Sequence, residues 1–162
     1  MKKGLMFGAA LLAALGFGTA QAGEVDVTGR KVLVAYYSYS GNTKAVAEAI
    51  HAKVGGDLFE IKAEGTYPAE YRPMTEQAKR EILSGFRPKL TTSVPDMEQY
   101  GVIFIGSPNW WGTITPQVSS FLESYDFAGK TVVPFITHGG GGQQRTLADM
   151  TNQCKGCTVV QD

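Results

Sequence analysis

Residues 32–35 read Val-Leu-Val-Ala, and residues 102–105 read Val-Ile-Phe-Ile. Neither run alternates with polar residues, so a strand built from either must be covered on both faces. Between such runs the spacing turns helical. Val46, Ile50 and Val54 recur every four positions across 42–54, with Ala45 and Ala49 beside them, and Gly55-Gly56 stops the pattern. Ala78, Ile82 and Phe86 mark a second stripe, ended by Pro88. Val118, Phe121, Leu122 and Tyr125 mark a third, with the i, i+3, i+4, i+7 spacing of a helix packed on a sheet. Strands are expected at 31–37, 58–61, 102–105, 131–136 and 158–160, although Pro134 is an awkward residue for a strand interior. The stretch 63–73, with Tyr67-Pro68 and Arg72-Pro73, reads as irregular, and 143–153 as a short helix. Uninterrupted strands alternating with helices specify an α/β domain, a parallel sheet clothed by helices on both sides.

One such domain suits 162 residues, of which 43% are hydrophobic and 19% charged. The amino-terminal stretch stands apart. Lys2 and Lys3 give a basic start, 5–17 is apolar, and Ala20-Gln21-Ala22 has a small-x-small ending. This is the layout of a secretory signal peptide over 1–22, cleaved after Ala22 to leave 23–162 as the mature domain. The apolar run falls short of the ~20 residues of a spanning helix, so no stable membrane insertion is expected after cleavage. Loss of Lys2 and Lys3 leaves a net charge of about −2. No basic cluster interleaves with aromatics, so nucleic acid is not an expected partner.

Sheets of this kind bind ligands beyond the carboxyl ends of their strands. The first strand delivers Ser38-Tyr39-Ser40-Gly41-Asn42-Thr43 directly before a helix. Ser and Thr hydroxyls, an Asn amide and the free N–H groups of the first helical turn together make an anion site. A plain N-cap needs one such residue. Four in six positions exceed that need and favour anion binding. The third strand delivers Ser107-Pro108-Asn109-Trp110-Trp111-Gly112, with the only two tryptophans of the chain. Adjacent indoles cannot both point inward, so at least one is expected to line a cleft suited to a flat aromatic ligand. The fourth strand delivers Thr137-His138-Gly139-Gly140-Gly141-Gly142, where glycines let backbone approach a bulky group.

The stretches "YYSYSGNT", "GSPNWWGTITPQVSSFLE" and "VPFITHGGGG" resemble the flavodoxin family, and the similarity runs through nearly all of 31–160. The resemblance implies a three-layer, doubly wound parallel five-stranded sheet of order 2-1-3-4-5 and bound FMN. It implies that Ser38, Ser40, Gly41, Asn42 and Thr43 hold the FMN phosphate, with Tyr39 alongside. Pro108, Asn109, Trp110, Trp111 and Gly112 then meet the isoalloxazine, and Thr137, His138, Gly139 and Gly140 close its other side. Three departures stand out. Electron-carrier flavodoxins are usually strongly acidic, and this chain is not. Asn109 sits where related sequences often carry an apolar residue. The family closes with a helix after the fifth strand, and no room for one remains before Asp162. Part of one sheet face is therefore expected to be bare, to be covered by a longer natural chain or by a partner.

Cys154-Lys155-Gly156-Cys157 is a C-x-x-C pair at the junction of a helix and a strand. Redox dithiols of this spacing work at helix N-termini, so a structural disulfide in an exported protein is the expectation here. Two cysteines without clustered histidines give no support for a metal site. The leader lacks twin arginines, so export precedes cofactor binding and FMN is acquired outside the cytoplasm. These readings point to an exported, periplasmic or secreted FMN protein that passes electrons to a redox protein or small-molecule acceptor. The alternative is an FMN-dependent quinone or nitro-compound reductase in which His138 donates a proton. A third reading is an FMN carrier without redox work.

Overall fold

A computed structural model describes residues 25–160, so the leader assigned to 1–22 lies outside the described residues. Along them the order is β1 (Lys31–Tyr36), α1 (Asn42–Val54), β2 (Asp57–Glu60), α2 (Tyr71–Ser84), β3 (Tyr100–Pro108), α3 (Pro116–Ser124), β4 (Thr131–Thr137), α4 (Thr146–Gln153) and β5 (Thr158–Val159). The strands form one parallel sheet of order β2-β1-β3-β4-β5. This is the doubly wound flavodoxin-like arrangement expected above.

Residue parity divides the core, because successive side chains of a strand point to opposite faces. Leu33, Ala35, Ile103, Ile105 and Val132 pack with Val118, Phe121 and Leu122 of α3 and Met150 of α4. Val32, Val34, Tyr36, Val102 and Phe104 pack on the other side with Ala47 of α1. Val25, Val27, Val133 and Phe135 join this second cluster while remaining partly exposed.

Three local expectations need correction. The buried stripe of α1 runs through Thr43 and Ala47, with Ile50 and Val54 partly buried, while Val46 is 39% exposed. The helix is rotated because the Thr43 hydroxyl hydrogen-bonds that of Thr137 at 2.8 Å, drawing a polar residue inward. Helix α2 begins at Tyr71, inside the segment read as irregular. Pro73 is its third residue, where the missing N–H has no intrahelical partner to lose. Its C-terminus comes at Gly85, in a left-handed conformation, which leaves Phe86 outside the helix and exposed.

Pro134 is tolerated for a geometrical reason. Val160 donates to the Val132 carbonyl at 2.9 Å, so the even-numbered residues of β4 address the β5 side. The missing N–H of Pro134 faces that side too, beyond the Thr131–Val132 stretch that β5 pairs.

Candidate functional site

The carboxyl ends of β1, β3 and β4 bring the three sequence-flagged loops together. Thr43 reaches Thr137 through their hydroxyls. Asn109 N–H donates to the Thr137 carbonyl at 2.7 Å, and Asn109 Nδ2 to the Gly142 carbonyl at 2.7 Å. Arg145 N–H closes the circuit on the Gly112 carbonyl at 3.0 Å. The amide of Asn109 is thus engaged with backbone on both sides, since its Oδ1 also accepts from Gly112 N–H at 2.9 Å. A polar residue at this position ties two loops together.

In the first loop, Gly41 is the N-cap residue of α1 at φ 91°, ψ −12°. That left-handed geometry suits glycine. Although Ser38, Ser40, Asn42 and Thr43 are all at hand, no side chain caps α1. Ser38 Oγ accepts from Gly41 N–H at 3.1 Å, and Asn42 Nδ2 donates to Ser40 Oγ at 3.2 Å. By contrast, Thr115 caps α3 by accepting from Val118 N–H, and Pro116 occupies the first turn. The polar residues of the first loop therefore do not serve as an N-cap. They surround a helix terminus whose first N–H groups remain available for an external acceptor.

The second loop shows how the two indoles part. Trp110 and Thr113 exchange backbone hydrogen bonds at 3.0 and 3.1 Å around Trp111 (φ 53°) and Gly112 (φ 83°). Two positive φ values in a two-residue loop are the pattern of a type I′ turn. Trp110 faces inward and meets Tyr37, Tyr39 and Tyr67 edge-on, with centroid distances of 5.8, 5.9 and 5.1 Å. Trp111 faces outward and is 52% exposed. Its Nε1–H donates to the Thr75 carbonyl at 2.8 Å, and Lys79 Nζ lies 4.6 Å from its ring centroid.

In the third loop, His138 Nδ1 accepts from the N–H groups of Gly140 and Gly142 at 3.1 and 3.2 Å. The ring thereby shapes the glycine loop, and its proton sits on Nε2. Pro108 ends β3, while Gly139 and Gly140 are exposed at the rim.

Residues not singled out from sequence complete the surroundings. Tyr67 donates to Glu81 Oε2 at 2.5 Å and accepts from Gln117 Nε2 at 2.9 Å. Burial, with the Glu81 hydrogen bond added, pushes the Tyr67 phenol well above the usual tyrosine range. Burial does the same to Tyr37, with smaller contributions from Tyr39 and Glu81. The one sequence signal for Tyr67 is an aromatic beside Pro68 in a segment without helical period. Gln117 carries none.

Cys154 and Cys157 are joined in a disulfide that does not belong to this rim. The pair precedes Thr158, which pairs with Thr131 at the start of β4. Thr137 lies at the other end of that strand, ~20 Å away at ordinary strand rise.

A family model described as Flavodoxin matches residues 31–162. A curated relative from Azorhizobium caulinodans, an NAD(P)H dehydrogenase (quinone), is 30% identical over 133 residues, covering 72% of this chain and 62% of that one. This chain thus spans just under two-thirds of that relative's length. A relative of the same description from Caulobacter vibrioides is 30% identical over 151 residues, covering 80% of this chain and 69% of its own. Among solved structures, the flavoprotein in complex with FMN from Lactobacillus acidophilus aligns with a TM-score of 0.73 at 27% identity. That alignment covers 81% of this chain and 90% of that one. The sheet order, the three linked loops and a family match running from β1 to the last residue agree: the chain belongs to the flavodoxin family.

Proposed function

We propose that this chain binds FMN at the three-loop rim and works as an electron-transfer flavoprotein outside the cytoplasm. The observation that carries the reading is the α1 terminus, left without a side-chain cap in the midst of Ser38, Ser40, Asn42 and Thr43. A phosphate dianion is well served there by neutral hydroxyl and N–H donors together with the positive end of the helix. Gly41 keeps the backbone open enough for close approach. The tied loops offer a backbone floor at Asn109 and Gly112, the Trp110 ring and the glycine loop at 139–140. The residues present therefore fit the cofactor that the family implies and that the Lactobacillus relative holds.

Bound FMN supplies the redox chemistry; the protein supplies position and surroundings. Thr43 and Thr137 lock the phosphate turn to the strand that carries the glycine loop. Asn109 holds the two flanking loops at fixed separation. His138 orders the glycine loop through Nδ1 and presents Nε2–H as a hydrogen-bond donor. Location outside the cytoplasm rests on the leader-like 1–22 segment and on the disulfide, which suits an oxidising compartment.

A second reading, an FMN-dependent quinone reductase, is favoured by the names of the curated relatives. Titrating the purified chain with FMN separates the outcomes. Saturation at one FMN per chain with a shifted flavin absorbance band is expected; after the bound flavin is reduced with dithionite, reoxidation by a protein partner without reoxidation by quinone is expected. Rapid quinone turnover by the loaded chain moves the assignment to the second reading. Absence of FMN binding removes both.

A further inference from the structure

Trp110 sits at the centre of three tyrosine rings, and Tyr67 is the nearest, at 5.1 Å between centroids against 5.8 Å for Tyr37 and 5.9 Å for Tyr39. Rings in contact exchange an electron readily. A phenol gives one up only when its proton has a base to go to, because an oxidised phenol that keeps its proton is a very strong acid.

The three tyrosines differ in that respect. The Tyr67 hydroxyl donates to Glu81 Oε2 at 2.5 Å. The other carboxyl oxygen, Oε1, accepts from Gln77 Nε2 at 2.8 Å, so Glu81 accepts through both oxygens, as an ionised carboxylate does. Tyr39 donates instead to the Pro68 carbonyl at 2.9 Å, and a peptide carbonyl is no base at neutral pH. Tyr37 lines the adjoining cleft, its hydroxyl without a partner among the described residues, which leaves only water to take its proton. Gln117 Nε2 donates to the Tyr67 oxygen at 2.9 Å, a bond that survives loss of the phenol proton. Burial keeps that phenol protonated at ordinary pH, so electron and proton leave together.

We propose that Tyr67 is a redox-active tyrosine that reduces an oxidised Trp110 while its proton passes to Glu81 Oε2. The oxidant is a diffusible one-electron radical. It takes one electron from half-buried Trp110, whose indole proton goes to solvent. Tyr67 then returns one electron to the indole, which recovers a proton from solvent. A neutral Tyr67 phenoxyl and a protonated Glu81 remain. At neutral pH an indole radical is the stronger oxidant of the two, so the transfer runs downhill. It draws oxidising equivalents off the Trp110 loop and does not rest on bound flavin.

Pulse radiolysis of the full chain with azide radical, which oxidises indoles preferentially, tests this. A Trp111→Phe background leaves Trp110 as the sole tryptophan. Indolyl absorbance is expected to decay as tyrosyl absorbance grows, at a rate independent of protein concentration. Glu81→Gln keeps an acceptor for the phenol but removes the base, and is expected to slow the transfer about 100-fold. Tyr67→Phe is expected to slow it as much, and it carries the test if Glu81→Gln fails to fold. Tyr37→Phe and Tyr39→Phe are expected to leave the rate unchanged. Absence of the tyrosyl band, a rate proportional to protein concentration, a rate unaffected by Tyr67→Phe or by a folded Glu81→Gln, or its loss in Tyr37→Phe or Tyr39→Phe would each overturn the proposal.

Discussion

The two ends of the sheet use their polar groups in opposite ways. At the amino end most are directed at one another, with His51 Nδ1 and Gln153 Oε1 left unpaired among the described residues. Lys130, buried and without a carboxylate partner among the described residues, donates from Nζ to the carbonyls of Met97, Glu98 and Tyr100 at 3.0, 3.4 and 2.8 Å. Tyr100 donates to Asp57 Oδ2 at 2.6 Å, and Lys31 Nζ lies 3.2 Å from the same oxygen. A hollow of about 300 Å³ lies there, yet its polar lining residues Asp57 and Tyr100 are already paired. The Cys154–Cys157 disulfide closes the same end. At the carboxyl end, α1 lacks a side-chain cap, Gln117 Oε1 lacks a donor, and the glycine loop is exposed. Hollows occur at both ends, and so do buried acceptors without partners, so neither alone locates function. The uncapped α1 terminus amid Ser38, Ser40, Asn42 and Thr43, beside the exposed glycine loop, sets the carboxyl end apart.

If that contrast holds, perturbations should sort by end. The largest effect is expected at alkaline pH and touches both. Burial and the Asp57 hydrogen bond push Tyr100 up to about 12, and Tyr37 and Tyr67 also lie above the usual value of about 10. A raised folded-state value means that the unfolded chain ionises first. The stability held by these phenols is complete below about pH 10 and is lost as pH rises through 10 toward 12 and beyond. Phenolate absorbance near 295 nm should therefore rise in step with loss of circular dichroism, leaving a fraction of the seven tyrosines silent until unfolding.

Lys130→Met comes next. It strands three carbonyls at the closed end and is expected to cost about 3 kcal/mol in denaturant unfolding while leaving FMN affinity unchanged. Replacing both Cys154 and Cys157 by serine should cost about 2 kcal/mol, the loop-closure estimate for so short a ring, again without effect on FMN. A loss of FMN affinity in either variant would break the division between the ends. The smallest stability effect is expected for Ser40→Ala. Its hydroxyl caps nothing, so unfolding should shift by less than about 0.5 kcal/mol while FMN binding weakens about tenfold.

The same contrast explains what could be read from the sequence. Uninterrupted runs such as 102–105 announce a doubly covered strand, and the loops that follow them carry visible chemistry. The order of elements and the meeting of three turns follow from these. Features set by distant partners carry no such signal. Thr43 is buried because of Thr137, 94 residues away, so a stripe drawn through Val46 misplaces the α1 face. Pro73 suggests a break, but a proline in the first helical turn breaks nothing. Gln117 reads as an ordinary polar residue of a helix; only the chain through Tyr67 to Glu81 shows that its oxygen is alone. Lys130 reads as a solvated cation until the three carbonyls around it are seen.

The most direct measurement compares the affinities of FMN and riboflavin for the full chain by flavin fluorescence quenching. The two share the ring system and differ in the phosphate, which the turn from Ser38 to Thr43 is argued to hold. FMN is expected to bind about 100-fold more tightly, from a few charge-assisted hydrogen bonds to the dianion. Equal affinity for the two flavins, or binding of neither, would contradict the assignment of that turn and of the rim built around it.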